Sequence, residues 1–306
     1  MHMQQSSRRL RIDEAAVHAS TTPRAVTIET IMPSDMAVRA EQAGVKRAAM
    51  DSLTVLVLGI MAGAFIAFGA IFATTVSAGA SALPYGVGKL LAGLVFSAGL
   101  IMVVIAGAEL FTGNNLIIMA WASGKVTTGG LLKNWLVVFI GNAIGALATA
   151  VLMFYTTQYT FGSGAVGSAA LAAANSKAAL DFIPALTLGI MCNALVCLAS
   201  WMCYSARTSV DRVVTIVPPI AAFVAAGFEH SIANIYYIPL GLLIKAGAGD
   251  AFWNSIGKTA ADFPALTWSN FLFGNLVPVT FGNIIGGSLM VGAVYWFVYL
   301  RKKSPL

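Results

Sequence analysis

Six long runs of apolar residues alternate with short polar connections along this chain of 306 residues. An α-helix rises about 1.5 Å per residue, so a hydrocarbon layer about 30 Å thick needs roughly 20 residues per crossing. The runs lie near 53–76, 90–120, 136–155, 182–204, 213–243 and 271–299. Their lengths predict an all-α integral membrane protein with six transmembrane spans.

The second and fifth runs are about half as long again as one crossing needs. Both carry glycine and polar residues in the middle, namely Gly107, Glu109 and Asn114 in the second run and Gly227, Glu229 and Asn234 in the fifth. Irregular backbone is tolerated at membrane depth only where it lines a protein cavity. We therefore predict that spans two and five are interrupted helices, with these six residues in structural roles at the breaks.

Polar segments flank the six runs. Residues 1–33 are interpreted as a flexible tail without a signal peptide, because no short apolar stretch with a cleavage site follows them. Residues 34–50 predict an amphipathic helix with Ser34 as its N-cap, which is too charged to cross a membrane. The six-span domain takes residues 51–300, and residues 301–306 form the C-terminus.

Composition supports lipid as the solvent for much of the surface. The chain is 58% hydrophobic and only 10% charged, with a mean hydropathy of +0.82, whereas soluble domains carry about 25% charged residues. A net charge of +6 is compatible with nucleic-acid binding. The basic residues, however, lie in short connections and at the chain ends, so we expect no nucleic-acid partner. We also expect no cofactor and no metal site.

The basic residues predict the orientation. Of the 18 Lys and Arg residues, all but four lie in the tail, the C-terminus or the even-numbered connections. The four exceptions are Lys89, Lys177, Lys245 and Lys258. Cytoplasmic loops collect Lys and Arg, so both termini are predicted to be cytoplasmic in a multi-pass inner-membrane protein.

The two halves of the chain share three landmarks in the same order. Residues 58–61 and 188–191 both read LGIM, 107–114 and 227–234 share GxExxxxN, and 141–145 and 282–286 share GNxIG. Three spans per half place the second copy in the opposite orientation, so the landmarks predict two inverted repeats with a solute path near mid-membrane. Chance matches among small residues remain the alternative.

Three ionisable residues lie centrally within the spans: Glu109, Glu229 and His230. Ionisable groups are costly in lipid and face a cavity or a partner. We interpret the glutamates chiefly as braces that accept hydrogen bonds from N–H groups freed at the breaks. Leu110 occupies the place of His230 in the first half, so His230 breaks the symmetry and is the candidate solute-specific group, with packing as the alternative.

Neutral polar and bulky side chains complete the candidate path. Thr112, Asn193 and Asn283 are polar groups that can orient a small solute, and Glu229 is assigned to the same pathway. The bulky residues beside the breaks are candidates for a narrow apolar constriction: Phe96, Leu100, Leu110, Phe111, Val196 and Phe223. For each of these, ordinary core packing is an equally open interpretation.

Four long strings carry a family resemblance: GAELFTGN (107–114), KNWLVVFIGNAIGAL (133–147), GFEHSIANIYYIP (227–239) and NLVPVTFGNIIGG (275–287). With the opening MPSDMAVRAEQAGV, they resemble the formate/nitrite transporter family, and within it the bacterial formate channels, over residues 32–300. The resemblance implies an aquaporin-like fold and a homopentamer with one pore per protomer. It also implies transport of formate, nitrite or related small anions.

The resemblance also implies roles for particular residues. Leu110, Phe111 and Thr112 match the loop of the broken second span, and His230 matches the central histidine next to the glutamate at Glu229. Asn193 and Asn283 match pore asparagines, and the constricting side chains match Phe96, Leu100, Val196 and Phe223. The family's N-terminal segment, matched by residues 34–49, has been linked to gating, which implies a response to pH.

The sequence-based hypothesis is therefore a formate channel, passive or proton-coupled through His230, that would also accept nitrite, hydrosulfide or acetate. A channel for nitrite or hydrosulfide shares the same architecture. An aquaporin-like pore for neutral solutes predicts Asn-Pro-Ala at both breaks, which this sequence does not contain. A membrane enzyme using Glu229 and His230 is disfavoured, because no nucleophile motif or metal-ligand cluster accompanies them.

Overall fold

The computed structural model describes residues 30–301. Residues 1–29 of the predicted tail and residues 302–306 of the predicted C-terminus lie outside this range. Within it, the chain is helical and contains no strand. The α-helices are α1 (Pro33–Ala49), α2 (Ser52–Ser77), α3 (Tyr85–Ala106), α4 (Phe111–Asn114), α5 (Ile118–Ala122), α6 (Thr128–Tyr155), α7 (Ala165–Ala178), α8 (Phe182–Met202), α9 (Ser209–Ala225), α10 (Ser231–Gly247), α11 (Asp250–Ile256), α12 (Val277–Ile284) and α13 (Val294–Tyr299).

The last long helix changes its winding along its length. Two π-helical stretches, Asn270–Leu276 and Ile285–Ala293, flank α12, and α13 follows the second of them. These four pieces form one continuous apolar helix over Asn270–Tyr299. π-helical turns are rare and occur frequently at functional sites, and both stretches lie in the span that carries the second GNxIG landmark.

Local chemistry explains where several helices begin. Asp51 caps α2 by accepting a hydrogen bond from the Thr54 amide at 2.9 Å. Helix α1 begins with Pro33 at its first position, where the missing N–H of proline costs nothing and its fixed φ suits a helix. The residue at its N-cap is Met32, so the prediction of Ser34 as the N-cap is wrong.

Within residues 30–301, five helices are long and apolar enough to cross a membrane: α2, α3, α6, α8 and Asn270–Tyr299. A sixth is added if α10 and α11, bent by 112° to one another, count as one span. The predicted fifth run is instead divided between α9 and α10, each 17 residues long. The count of six spans and their inverted arrangement therefore stay predictions.

The repeated glycines bring pairs of long helices into close contact. Helix α2 packs against α6, and α8 packs against α12. A Cβ atom added to Gly59 would lie 3.2 Å from the Cα atom of Gly141, and one added to Gly189 would lie 3.3 Å from that of Gly282. Small residues allow this backbone approach in membrane helices, which explains why LGIM and GNxIG recur together.

The structural repeat extends beyond the three landmarks. Helix α1 precedes α2 with two residues between them, and α7, which the sequence analysis did not predict, precedes α8 with three residues between them. Both helices bury alanines, Ala37 and Ala40 in α1 and Ala170 and Ala174 in α7. Each half thus carries a helix with one buried face ahead of its first long helix.

Candidate functional site

Both predicted helix breaks are present, and a left-handed glycine opens each one. Helix α3 ends at Ala106, and Gly107 follows with φ of +78°. Helix α9 ends at Ala225, and Gly227 follows shortly after with φ of +74°. Only glycine adopts this conformation without strain. The chain then runs extended through Leu110 or His230 before the next helix begins.

Asn142 holds the first break in place from the neighbouring helix α6. Its side-chain oxygen accepts the Phe111 amide hydrogen at 2.8 Å. Its side-chain nitrogen donates to the carbonyls of Gly59 at 2.8 Å and Glu109 at 2.9 Å. An amide with no exposure thus satisfies the Phe111 and Glu109 backbone groups at the break and ties them to Gly59 of α2.

Asn283 makes the same three bonds at the second break. It accepts the Ser231 amide hydrogen at 2.9 Å and donates to the carbonyls of Gly189 at 2.8 Å and Glu229 at 3.0 Å. Its side chain has no exposure and lines neither of the two large cavities, of about 540 and 230 Å³, that approach the breaks. Its hydrogen bonds show a structural role in holding the second break. Its assignment to the solute pathway stays a prediction.

Glu109 anchors a buried polar cluster beside the first break. Asn114 donates to its Oε2 atom at 2.7 Å and to the Oδ1 atom of Asn134 at 2.9 Å. Arg47, from the end of α1, places its Nε atom 3.3 Å from Oε1 of Glu109. Asn134 also donates to the Arg47 carbonyl at 3.1 Å. The Glu109 cluster therefore links α1, the break and α6.

Glu229 anchors the matching cluster beside the second break. Asn234 donates to its Oε2 atom at 2.6 Å and to Oδ1 of Asn275 at 2.7 Å. Lys177, at the end of α7, pairs with Oε1 at 2.7 Å. Asn275 also donates to the Lys177 carbonyl at 2.9 Å. Four contacts recur in the two clusters, with arginine as the cation in the first and lysine in the second, and the second cluster adds a bond of 3.3 Å from Asn275 to Oε2 of Glu229.

The sequence analysis missed four members of these clusters: Arg47, Lys177, Asn134 and Asn275. The repeat itself contains the signal that would have found them. Asn134 and Asn275 each lie eight residues before the asparagine of GNxIG, and Arg47 and Lys177 each lie eleven residues before LGIM. Extending the landmark comparison outward in both directions would therefore have paired all four.

Two large cavities approach the breaks, and we call them the wide and the narrow vestibule. The wide vestibule has a volume of about 540 Å³ and reaches Phe96, Phe223 and His230. The narrow vestibule has a volume of about 230 Å³ and reaches Leu100 and Leu110. Phe96 and Leu100 are four residues apart on α3, so the vestibules come within about one helical turn of each other.

Aromatic rings close the wide vestibule at its inner end. Phe96 and Phe223 meet edge to face with their centroids 5.6 Å apart, and both are almost fully buried. The Phe223 ring also lies 6.1 Å from the His230 ring, nearly parallel to it. Val196 is buried but lines neither vestibule. Phe111 turns away toward α6, where it packs edge to face on Phe139 at 5.1 Å.

His230 is held by both of its ring nitrogens. Its Nδ1 atom accepts the Ala233 amide hydrogen at 3.2 Å, which makes His230 the N-cap of α10. A neutral imidazole that accepts at Nδ1 carries its hydrogen on Nε2. That atom lies 3.0 Å from Oγ1 of Thr112, a fully buried residue of the other break. The two breaks therefore touch through one hydrogen bond between side chains.

Asn193 of α8 bonds to the backbone of Thr112 and to two neighbouring asparagines. Its side-chain nitrogen donates to Oδ1 of Asn115 at 2.8 Å, to the Asn283 carbonyl at 2.7 Å and to the Thr112 carbonyl at 3.3 Å. Asn193 is fully buried and lines neither vestibule. Its place in the solute pathway stays a prediction. Among residues 30–301, no three His, Cys, Asp or Glu side chains gather as a metal site requires.

Comparison with known protein families, sequences and structures gives one consistent result. A family model described as formate/nitrite transporter matches residues 34–297. The chain belongs to the formate/nitrite transporter family. Members of the formate/nitrite transporter family that it matches by sequence are named as channels or transporters, not as enzymes. Family membership and its apolar helices make it a multi-pass membrane protein.

Individual relatives of the formate/nitrite transporter family match over most of the chain. The formate channel FocA of Escherichia coli K12 is 46% identical over 276 residues, which cover 90% of this chain and 97% of that protein. The formate channel FocA of Haemophilus influenzae is 42% identical and covers 76% of this chain and 82% of its own. A solved pentameric formate channel with formate bound has a TM-score of 0.78 and 45% identity, covering 82% of this chain and 98% of its own.

Proposed function

We propose that this protein is a formate channel of a bacterial inner membrane, assembled as a homopentamer with both termini in the cytoplasm. The observation that carries the proposal is the pair of vestibules that approach each other within about one helical turn at Phe96, Leu100 and Phe223, beside the contact between His230 and Thr112. Formate is the solute named for the FocA relatives and for the solved pentamer. Native mass spectrometry tests the pentamer, and labelling of terminal cysteines in intact cells tests the orientation.

Crossing between the vestibules is the step that needs chemistry. A bare formate charge is strongly disfavoured among buried apolar side chains, whereas neutral formic acid is not. We propose that protonated His230 passes its Nε2 proton through the Thr112 hydroxyl to the formate carboxylate. This leaves formic acid and a neutral ring whose remaining hydrogen is on Nδ1, so the ring accepts the Ala233 amide hydrogen again only after Nε2 gains a proton and Nδ1 loses its own. The acid ionises again in the second vestibule, so flux follows the formate gradient and the pH.

The N-cap bond sets a condition for this relay. A ring that accepts the Ala233 amide hydrogen at Nδ1 cannot also carry a proton there. His230 must therefore give up its cap when it gains a second proton. Because His230 also precedes the first turn of α10, proton uptake is coupled to the N-terminus of that helix, which is the origin we propose for a response of transport to pH.

His230→Asn separates the relay from the structure. Asparagine is a good N-cap and retains a donor for Thr112, but it does not titrate. We expect wild-type protein in proteoliposomes to carry formate faster as pH falls from about 7.5 to 5.5, and the variant to lose most of this dependence while still folding. A variant with wild-type pH dependence would refute the relay, and an absence of wild-type formate flux would refute the channel.

Nitrite and hydrosulfide remain the rival substrates, because the vestibules themselves do not distinguish small monovalent anions. Competition by nitrite, hydrosulfide and acetate against labelled formate ranks them in the same vesicles. An aquaporin-like pore would instead swell the vesicles with neutral solutes and carry no formate. The loop residues Leu110, Phe111 and Thr112 and the assigned pathway residues Asn193, Asn283 and Glu229 are part of the same proposal.

A further inference from the structure

The charged residues of the two vestibules follow one pattern. Three side chains of the Lys, Arg, Asp and Glu types line the wide vestibule: Lys89, Lys177 and Glu229. Lys177 and Glu229 pair at 2.7 Å, so their charges offset each other locally. This leaves Lys89, and the vestibule keeps one net positive charge, the complement of one monovalent anion.

The narrow vestibule repeats the pattern with different residues. Its charged lining consists of Arg47, Glu109 and Arg212. Arg47 and Glu109 form the ion pair of the first cluster, and Arg212 remains. Neither Lys89 nor Arg212 takes part in the three ion pairs found among residues 30–301. Each vestibule therefore holds one internal ion pair and one additional cation.

The additional cations stand at comparable places on the helices that carry the breaks. Lys89 lies in the second turn of α3 and is half-buried, with its ammonium 5.5 Å from the centre of the exposed Tyr85 ring. Arg212 lies in the first turn of α9 and is exposed. Both thus stand at the beginning of a helix whose far end is the break, on the approach to the constriction.

We propose that Lys89 and Arg212 recruit the anion into the wide and the narrow vestibule. The inference rests on the proposed anion channel and assigns it two residues that act before the constriction. An unpaired cation in a low-dielectric funnel raises the local anion concentration and the rate of entry. Lys177 and Arg47 do this less, because each already serves a buried carboxylate.

The role predicts a defined effect of removing one charge. A unit charge acting across about 6 Å of water changes an encounter rate by about threefold. In about 1 M salt the Debye length falls to about 3 Å, so the effect should vanish. A passive pore has the same low-concentration permeability in both directions, so mixed orientation in vesicles does not obscure the result.

The experiment compares Lys89→Gln, Arg212→Gln and the double variant in proteoliposomes at formate concentrations well below saturation. We expect permeability at low salt to fall about threefold for each single variant and further for the double variant. Lys89→Arg and Arg212→Lys should restore it. At saturating formate or in about 1 M salt, all variants should approach wild type.

Two substitutions outside the vestibules serve as matched controls. Lys258→Gln and Arg39→Gln remove exposed cations that line neither vestibule and should leave permeability unchanged. Wild-type permeability in Lys89→Gln and Arg212→Gln at low salt would overturn the inference, as would an equal loss at both salt concentrations, which indicates structural damage. If wild-type protein carries no formate, the proposed function fails and the inference fails with it.

Discussion

At the scale of single residues, each buried glutamate is satisfied from several directions. Oε2 of Glu229 accepts from Asn234 at 2.6 Å and from Asn275 at 3.3 Å, while Oε1 pairs with Lys177 at 2.7 Å. A buried carboxylate left without a cation would be strongly destabilising. The lysine therefore acts as a counter-ion that allows a charge to brace the break.

Lys177→Met tests this role of the lysine. The substitution leaves Glu229 charged and unpaired, so we expect the free energy of unfolding to fall by about 3 kcal/mol. Adding Glu229→Gln removes the unpaired charge and should recover more than half of the loss. Thermal unfolding in detergent measures both, with Lys258→Met as the exposed control. A double variant no more stable than the single one would contradict the counter-ion role.

Residue patterns made the glutamates and glycines of the breaks predictable. Gly107, Glu109 and Asn114 stand out because charge and glycine are rare in an apolar run. Asn134 and Asn275 do not stand out, because they lie at the edges of runs where polar residues are ordinary. The partner of each buried charge is a three-dimensional fact, and in one half it lies 52 residues away along the chain.

At the scale of elements, α1 is a packed part of the fold. Ala37 and Ala40 are almost completely buried, and Arg47 carries the counter-charge of Glu109. Glu41 is buried too and pairs with Lys125 beyond α5. Any gating movement of α1 has to break these two ion pairs and expose the alanine face.

Ala40→Leu tests the docking of α1. A larger side chain at a site with no free space should cost about 1–3 kcal/mol and loosen the helix. We expect trypsin to cleave after the exposed Arg39 and Lys46 several times faster in the variant than in wild type. Val38→Leu, on the exposed face of the same helix, should leave cleavage unchanged. Equal cleavage in all three proteins would show that α1 is not held by this face.

Element prediction succeeded where hydrophobic contrast was strong and failed for α7. Its sequence, AVGSAALAAANSKA, is rich in alanine and small residues, which pack well but give little periodic contrast between faces. The long helices of the predicted spans are unmistakable because lipid requires continuous apolar runs. The π-helical stretches of the last span have no recognisable signal in composition, and we have no physical account of their placement.

At the scale of the whole molecule, the two halves share the hydrogen bonds that hold the breaks but differ in the side chains between the breaks. Asn142 and Asn283 make the same bonds, and the two glutamate clusters share four of their contacts. The symmetry fails at His230, which corresponds to Leu110, and at Asn193, which corresponds to Gly63 by the LGIM landmark. Both exceptions bond to Thr112. The side chains to which we assign the solute-specific chemistry therefore lie where the two halves differ, whereas the shared contacts serve the same structural purpose in each half.

The apolar barrier between the two vestibules is formed jointly by both halves of the chain. Phe96 and Phe223 come from opposite halves and meet at 5.6 Å, beside the one-turn interval that divides the two vestibules. Shortening both to alanine should join the cavities, so we expect the permeability to formate to rise and the permeability to acetate, the larger anion, to rise to a comparable value.

Phe96→Ala/Phe223→Ala carries a stability cost, because each buried phenylalanine removed costs about 3–5 kcal/mol. Phe96→Leu/Phe223→Leu keeps more of the packing and should give an intermediate acetate permeability in folded protein. Phe72→Ala, an exposed site on α2, is the control for general effects of losing a ring. His230 would remain in the wider passage. Formate flux that also loses its pH dependence would therefore indicate that anions now cross without protonation.

Unchanged acetate permeability in folded double variants would place the selective barrier elsewhere.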